Sequence, residues 1–379
     1  MAFHPQRKNS MAKENPAKSW WHLCSKRHIW LLAALLWLLI FRGIRSQKSI
    51  IDSLISHVSA PIRQGLAGLC AHVPFSVAEM LIGLLAAVAL VYGVWTLCQL
   101  VRQKEGAFAR IYRCMLFYVI VGVTVYGGFC LMWGVYYYTD SFQDQSGIYA
   151  KKATVEELTQ TTEYFAEQLG QLADAVPRQA DGTMKPEVSR YLQETEDLYQ
   201  GIHQTFPFLS ADSLRPKLIF CSDLMSRTNF TGFLFPFTGE ANINRNMPVC
   251  LMPSTIAHEI SHQKGIASEQ EANFVAIVAC MESGKADYAY SGALLAYIHL
   301  SNALYREDKA AWQTIRDNLP QTVVADIQYN NQYWQQFKNT VTTKASEKTY
   351  NRFLKSYSQT MGTKSYGAVV DLLIVYYNV

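Results

Sequence analysis

Apolar residues are unevenly spread along this chain. Trp30 to Phe41 reads Trp-Leu-Leu-Ala-Ala-Leu-Leu-Trp-Leu-Leu-Ile-Phe with no charge. Ile29 and Gly43-Ile44 extend it to spanning length once Arg42 snorkels to the interface. Met80 to Val101 is a 22-residue uncharged run and Cys114 to Tyr138 a 25-residue one. A hydrocarbon layer of ~30 Å needs roughly 20 residues of helix. Three such runs early in the chain predict three transmembrane helices rather than buried helices of a soluble domain. Arg42 and Arg45 follow the first run where a cleaved leader would carry small residues, so that run reads as a signal anchor.

Beyond the spans the pattern turns amphipathic. Ser49 to Val73 sets Ile50, Ile51, Leu54, Ile55 and Val58 at helical spacing, which suits a helix on the membrane interface or one packed on a soluble domain. Thr154 to Val176 is periodic and opens on a capping box, Thr154 with Glu157. Lys185 to Ile202 predicts a second helix. Lys217 to Cys221 reads as a short strand, and Gly232 to Asn244 as a hairpin around Phe237-Thr238-Gly239 with Pro236 at an edge. Helices return from Pro253 onward. The expected architecture is an α-helical membrane region of three spans followed by a mostly helical α+β domain with a small sheet. The expected boundaries are 1–28 for a basic amino terminus, 29–140 for the spans and 141–379 for the domain.

With 50% hydrophobic and only 17% charged residues, disorder is excluded. A net charge of +4 is too small to imply a nucleic acid or other polyanion as partner. The placement of cations says more. Arg7, Lys8, Lys13, Lys18, Lys26 and Arg27 precede the first run, and Arg102, Lys104, Arg110 and Arg113 separate the second from the third. Only Arg45, Lys48 and Arg63 lie between the first and second. The positive-inside rule then puts the amino terminus in the cytoplasm and everything after Tyr138 outside it, in a multi-pass cell-membrane protein. No Cys-x-x-Cys occurs, which disfavours thiolate metal sites. Cys221 and Cys250 read as two small buried residues in preference to a disulfide.

The chemistry concentrates in Thr255 to Ala276. His258-Glu259-Ile260-Ser261-His262 is His-Glu-x-x-His. Residues four apart share a helix face, so His258 and His262 can hold one ion, zinc above all. Glu259 lies about 100° round the helix and reaches a water beside the ion, which is the placement of a general base for metal-assisted hydrolysis. Pro253-Ser254-Thr255 marks a helix start and Gly265 a stop. Ser268 and Glu271 suit a capping box on a following helix. Glu269 and Glu271 both remain as third ligand. His203 and His299 carry no ligand pattern and read as ordinary core or polar histidines.

Glu269-Gln-Glu-Ala272-Asn273 resembles the Glu-x-x-Ala-Asp signature of gluzincin metallopeptidases, with Asn273 in place of the aspartate. That register implies Glu269 as the zinc ligand and Asn273 as the amide orienting a ligand histidine. The chain as a whole resembles the bacterial family known as domain of unknown function 3810. The resemblance rests on the three spans, Pro74-Phe-Ser76 ahead of the second, and Phe235-Pro-Phe-Thr-Gly-Glu240-Ala-Asn. It also rests on His258-Glu-x-x-His-Gln263-x-Gly265, Glu271-Ala-Asn-Phe274 and Ser365-Tyr366-Gly-x-Val-Val-Asp371-Leu-Leu. It implies a zincin-like site in the outer domain. In zincins a sheet edge above the helix holds an extended peptide. Phe233, Phe235 and Phe237 could form a substrate wall or a core face, and Glu240 a peptide-amine ligand or a turn cap. Tyr366 is a candidate oxyanion donor through its place in the closing motif.

The expectation that follows is a membrane-anchored zinc metallohydrolase, a peptidase acting on envelope proteins or peptides, with His258, His262 and Glu269 as metal ligands and Glu259 as catalytic base. The alternative is a membrane sensor or scaffold with a structural or vestigial metal site, for which Glu259 has no use.

Overall fold

The computed structural model describes residues 25–151, 153–357 and 367–378. Tyr366 and the basic residues Arg7 to Lys18 lie outside the described residues. The chain forms two compact units, one of residues up to Ile44 with Gly83–Cys130, the other of Arg45–Ile82 with Leu131–Val379. This division differs from the expected 29–140 and 141–379: residues 45–82 belong with the carboxy-terminal part.

In the first unit, α1 spans Ser25–Ile44. Among the described residues it is one of three helices long and apolar enough to cross a membrane. The others are Val77–Arg102, counted below as α4, and Ala107–Met132, counted as α5. Leu90 and Leu97 are 68% and 63% exposed, an apolar outer surface of the kind a membrane-crossing helix presents. Several polar side chains of these helices find partners inside the unit. Trp30 donates to the Thr124 hydroxyl at 2.9 Å, Trp37 to the Gly127 carbonyl at 2.9 Å and Tyr118 to the Ala89 carbonyl at 2.7 Å. The third expected span ends at Met132, six residues early, because Trp133 leaves helical geometry and Gly134–Tyr138 tighten into a 3-10 turn.

The second unit opens with α2, Lys48–Leu54, which runs through one wide turn at Ile55–Ser59 into α3, Ala60–Ala71. Of the two readings of Ser49–Val73, packing on the domain is the one observed for Arg63, Ala67 and Cys70, all buried. The chain continues with α6 (Phe142–Ser146), α7 (Val155–Leu172) and α8 (Val188–Gln193). The Thr154–Glu157 capping box forms as expected. The helix expected over 185–202 shrinks to α8 and a 3-10 turn at Gln200–Ile202.

A three-stranded sheet follows in the order β1-β3-β2, from Lys217–Ile219, Gly232–Phe235 and Glu240–Asn244. The hairpin β2–β3 is antiparallel, with Phe235 opposite Glu240, and β1 pairs parallel to β3. Gly239 takes φ +65° in the turn, where its missing Cβ also clears the Arg63 carbonyl. Between the first two strands lies α9, Ser222–Arg227.

The core is then helical. α10 (Met252–Gln263), α11 (Glu269–Met281) and α12 (Ala286–Glu307) pack with α7 and the terminal helix over an apolar cluster including Ile256, Phe274, Ile277 and Leu300. Gly292 allows close approach: a Cβ there would stand 2.5 Å from that of Cys280. α13 (Lys309–Asp317), α14 (Gln321–Gln335), α15 (Val341–Ser356) and α16 (Gly367–Tyr377) complete the unit.

Candidate metal centre

Pro253 lies in the first turn of α10, where its fixed φ suits the helix and its missing N–H is not needed. The other end closes at Gly265, φ +97°. Its N–H bonds the His262 carbonyl at 3.0 Å, and that of Ile266 bonds the Ser261 carbonyl at 3.1 Å, the paired bonds of a Schellman motif. Arg63 from α3 finishes the cap. Its guanidinium donates to the carbonyls of His262 at 3.3 Å and Gln263 at 3.1 Å, the negative end of the helix dipole. It lies over the rings of Trp133 and Tyr136, 5.2 and 4.5 Å away. The turn after α10 then starts α11, which brings Glu269 back to the histidines.

His258, His262 and Glu269 each place one donor atom within 4.8 Å of the others, a set that among the described residues stands alone. His258 Nε2 is 3.2 Å from Glu269 Oε2, and His262 Nε2 is 3.6 Å from Glu269 Oε1. Zinc bonds of ~2.0–2.2 Å in a tetrahedron separate donors by roughly 3.3–3.6 Å; the two separations, each to a different oxygen of Glu269, lie near that range, and two imidazoles with a carboxylate are donors of the type zinc takes. The His262 Nδ1 lies 2.6 Å from the Ile266 carbonyl, which fixes the ring and leaves Nε2 toward Glu269. Tyr350 on α15 donates to Glu269 Oε1 at 2.5 Å. Trp133 meets the His262 ring edge-on, centroids 5.7 Å apart.

Glu259 is 3% exposed, and its Oε2 has no hydrogen-bond partner. Beside it runs β2: a Cβ on Gly232 would stand 2.6 Å from Glu259 Oε1. Burial, set against the nearby imidazoles, pushes the Glu259 carboxyl up to about 7. For His262, burial opposes the charge, but the Glu269 carboxylate prevails and raises the imidazole to about 9. Glu269 is raised by burial and lowered further by both histidines, ending well below the usual carboxylate range. His299 is buried, and desolvation followed by the charge of His258 lowers it to about 4, keeping it neutral.

The four motif residues therefore converge. Glu271 goes elsewhere: its carboxylate accepts from the Phe142 N–H at 3.0 Å and the Gln143 amide at 3.0 Å, at the start of α6. The expected Ser268–Glu271 capping box is not formed, since Ser268 makes no side-chain cap. The ring partner expected from Asn273 is instead the Ile266 carbonyl. Glu240 is a helix cap, accepting from the N–H groups of Val77 and Ala78 at 3.2 and 2.8 Å. Of the two cysteines expected buried, Cys250 is and Cys221 is exposed; both are free. Tyr350, Arg63, Trp133 and Gly232 carried no motif, because their part in the site arises from folding across long sequence separations.

A family model described as protein of unknown function (DUF3810) matches residues 56–374. No curated protein and no solved structure matches the chain.

Proposed function

The chain belongs to the DUF3810 family, whose description assigns no reaction, and we propose from its own residues that it is a membrane-anchored, gluzincin-like zinc peptidase. The observation that carries this reading is a buried carboxylate with an unpartnered oxygen, Glu259 Oε2, beside a His-His-Glu donor set. His258, His262 and Glu269 would hold the zinc. When bound there, zinc supplies Lewis acidity that polarises a carbonyl and acidifies water. Glu259 takes the proton of the attacking water and passes it to the leaving amine. The Ile266 carbonyl and the Tyr350 hydroxyl hold His262 and Glu269 in place.

The peptide half of the reading is supported by β2. It is an edge strand of the sheet, and Asn244 bonds the Thr231 carbonyl across the hairpin. Bonding alternates along an antiparallel pair, so Gly232 and Leu234 turn their N–H and C=O groups away from β3. An extended chain added there would pass Glu259. The zincin-like character of the second unit and its place outside the cytoplasm, inferred from the cation bias, belong to the same proposal. A structural site in a sensor or scaffold is less well served, since such sites close with four protein donors and the described residues bring three.

Elemental analysis of the full-length protein tests the reading. One zinc per chain, kept in Glu259→Gln and lost in His262→Ala, with casein cleavage abolished in both, is expected. A folded wild-type protein that takes up no zinc would sink it.

A further inference from the structure

Trp133, the residue that follows the third candidate span, lies against the metal centre. The third candidate span, Ala107–Met132, is more than the roughly 20 residues a crossing needs and ends one residue before Trp133. Trp133 is where α5 gives way to the 3-10 turn, and its ring touches His262. His262 is thus one side chain from the residue that follows that helix.

The second span begins on the same side, since α4 crosses once and α5 returns. Its first turn is tied to the sheet region. Glu79 accepts from the N–H groups of Phe220 at 2.8 Å and Cys221 at 2.7 Å, and Ser76 donates to Asn242 at 2.7 Å. Beside that turn Phe75, Phe220 and Leu224 are 50%, 79% and 63% exposed. Single exposed apolar residues need no explanation, but three gathered where the chain becomes transmembrane do. The Arg245 guanidinium lies 5.7 Å over the Phe220 ring, a cation beside an apolar tip, the pairing that suits a headgroup region with anionic phosphates.

We propose that Phe75, Phe220 and Leu224 sit in the lipid headgroup region. His258, His262 and Glu269 then open at the membrane surface, onto polypeptide segments emerging from the bilayer. The choice of substrate rests on the peptidase reading; the lipid docking stands on the apolar face and its continuity with the span.

The two parts separate by experiment in full-length protein, in nanodiscs of phosphatidylethanolamine and phosphatidylglycerol. Nitroxide labels are placed at Phe220→Cys, Leu224→Cys and, as reference, Gln313→Cys on α13, with Cys98 and Cys221 replaced by Ser. Molecular oxygen should reach the labels at 220 and 224 better than a water-soluble nickel chelate, with the reverse at 313. Nickel access at 220 and 224 equal to that at 313 overturns the docking. For the substrate, casein tethered to a lipid headgroup is compared with free casein. Phe220→Ser with Leu224→Ser should slow cleavage of the tethered form several-fold and leave the free form unchanged. Equal slowing of both, or of neither, overturns the membrane-emerging substrate. Cleavage of neither by the zinc-loaded wild type defeats the peptidase reading and the substrate with it, while the label arm still decides the docking.

Discussion

The proposed chemistry concentrates in one buried carboxylate, Glu259, and its charge state sets two expectations. Its loss as a general base in Glu259→Gln should lower the rate on the order of 10²–10⁴-fold with zinc retained, read by activity and metal content together. In the zinc-free protein its raised pKa means that the folded state prefers it protonated. That contribution is full below about 4.5 and is lost as pH rises through about 7. His262 gains from Glu269, so its contribution is full below about 6.5 and is lost as pH rises through about 9. Glu269 has the opposite sign and weakens the fold only on acidification below 4.5. Thermal midpoints of zinc-free protein should therefore fall between pH 6.5 and 9, and His262→Ala should flatten that limb. An unchanged slope in the variant would refute the assignment. Gly232→Ala tests the packing of the base: its Cβ would meet Glu259 Oε1 at 2.6 Å. It should cut activity while zinc stays bound, and an active variant would show that Glu259 does not need that position.

The helix α10 had its start, its motif and its stop in plain view, because each is a local property: Pro253 fixes φ, Gly265 tolerates φ +97°, and His258 and His262 share a face. The three long apolar helices and the hairpin were legible for the same reason. The choice of Glu269 over Glu271 came from the Glu-x-x-Ala-Asp resemblance and not from a local property, since what occupies Glu271 is the start of α6. Tyr366, picked from a motif, lies outside the described residues, while Tyr350, picked by nothing, touches Glu269. The helix 185–202 failed because periodicity does not register the turns that end α8. The carboxyl end of α10 gives the sharper test at this scale. Arg63→Ala removes two charge-assisted bonds to the last carbonyls, each worth ~1.5–3 kcal/mol. A drop of several degrees in midpoint with weakened zinc affinity is expected in calorimetry. Arg63→Lys should recover little of it, since an ammonium cannot fork to two carbonyls while lying over Trp133 and Tyr136.

The boundary at 141 suggested by polarity separates the long apolar helices from the rest, but the second unit does not respect it. Residues 45–82 are part of that unit, and they supply Arg63 to α10, Ser76 to Asn242 and Glu79 to the loop before α9. Leu131 to Asp140 add Trp133 against His262 and Tyr136 under Arg63. A fragment of residues 141–379 would keep every proposed ligand and lose these supports. It would also leave the face of α10 that Arg63 and Trp133 cover open to water. Such a fragment should bind zinc more weakly than the full chain, unfold at lower temperature and associate through the uncovered face. The remedy follows from the topology: joining Ile82 to Leu131 by a flexible Gly-Ser linker deletes residues 83–130 and retains the whole second unit. That version should take up one zinc with an affinity near that of the full chain. Isothermal titration of the three proteins decides the matter, and a 141–379 fragment that matches the full chain in affinity and melting would show that the amino-terminal segments only anchor the site and do not build it.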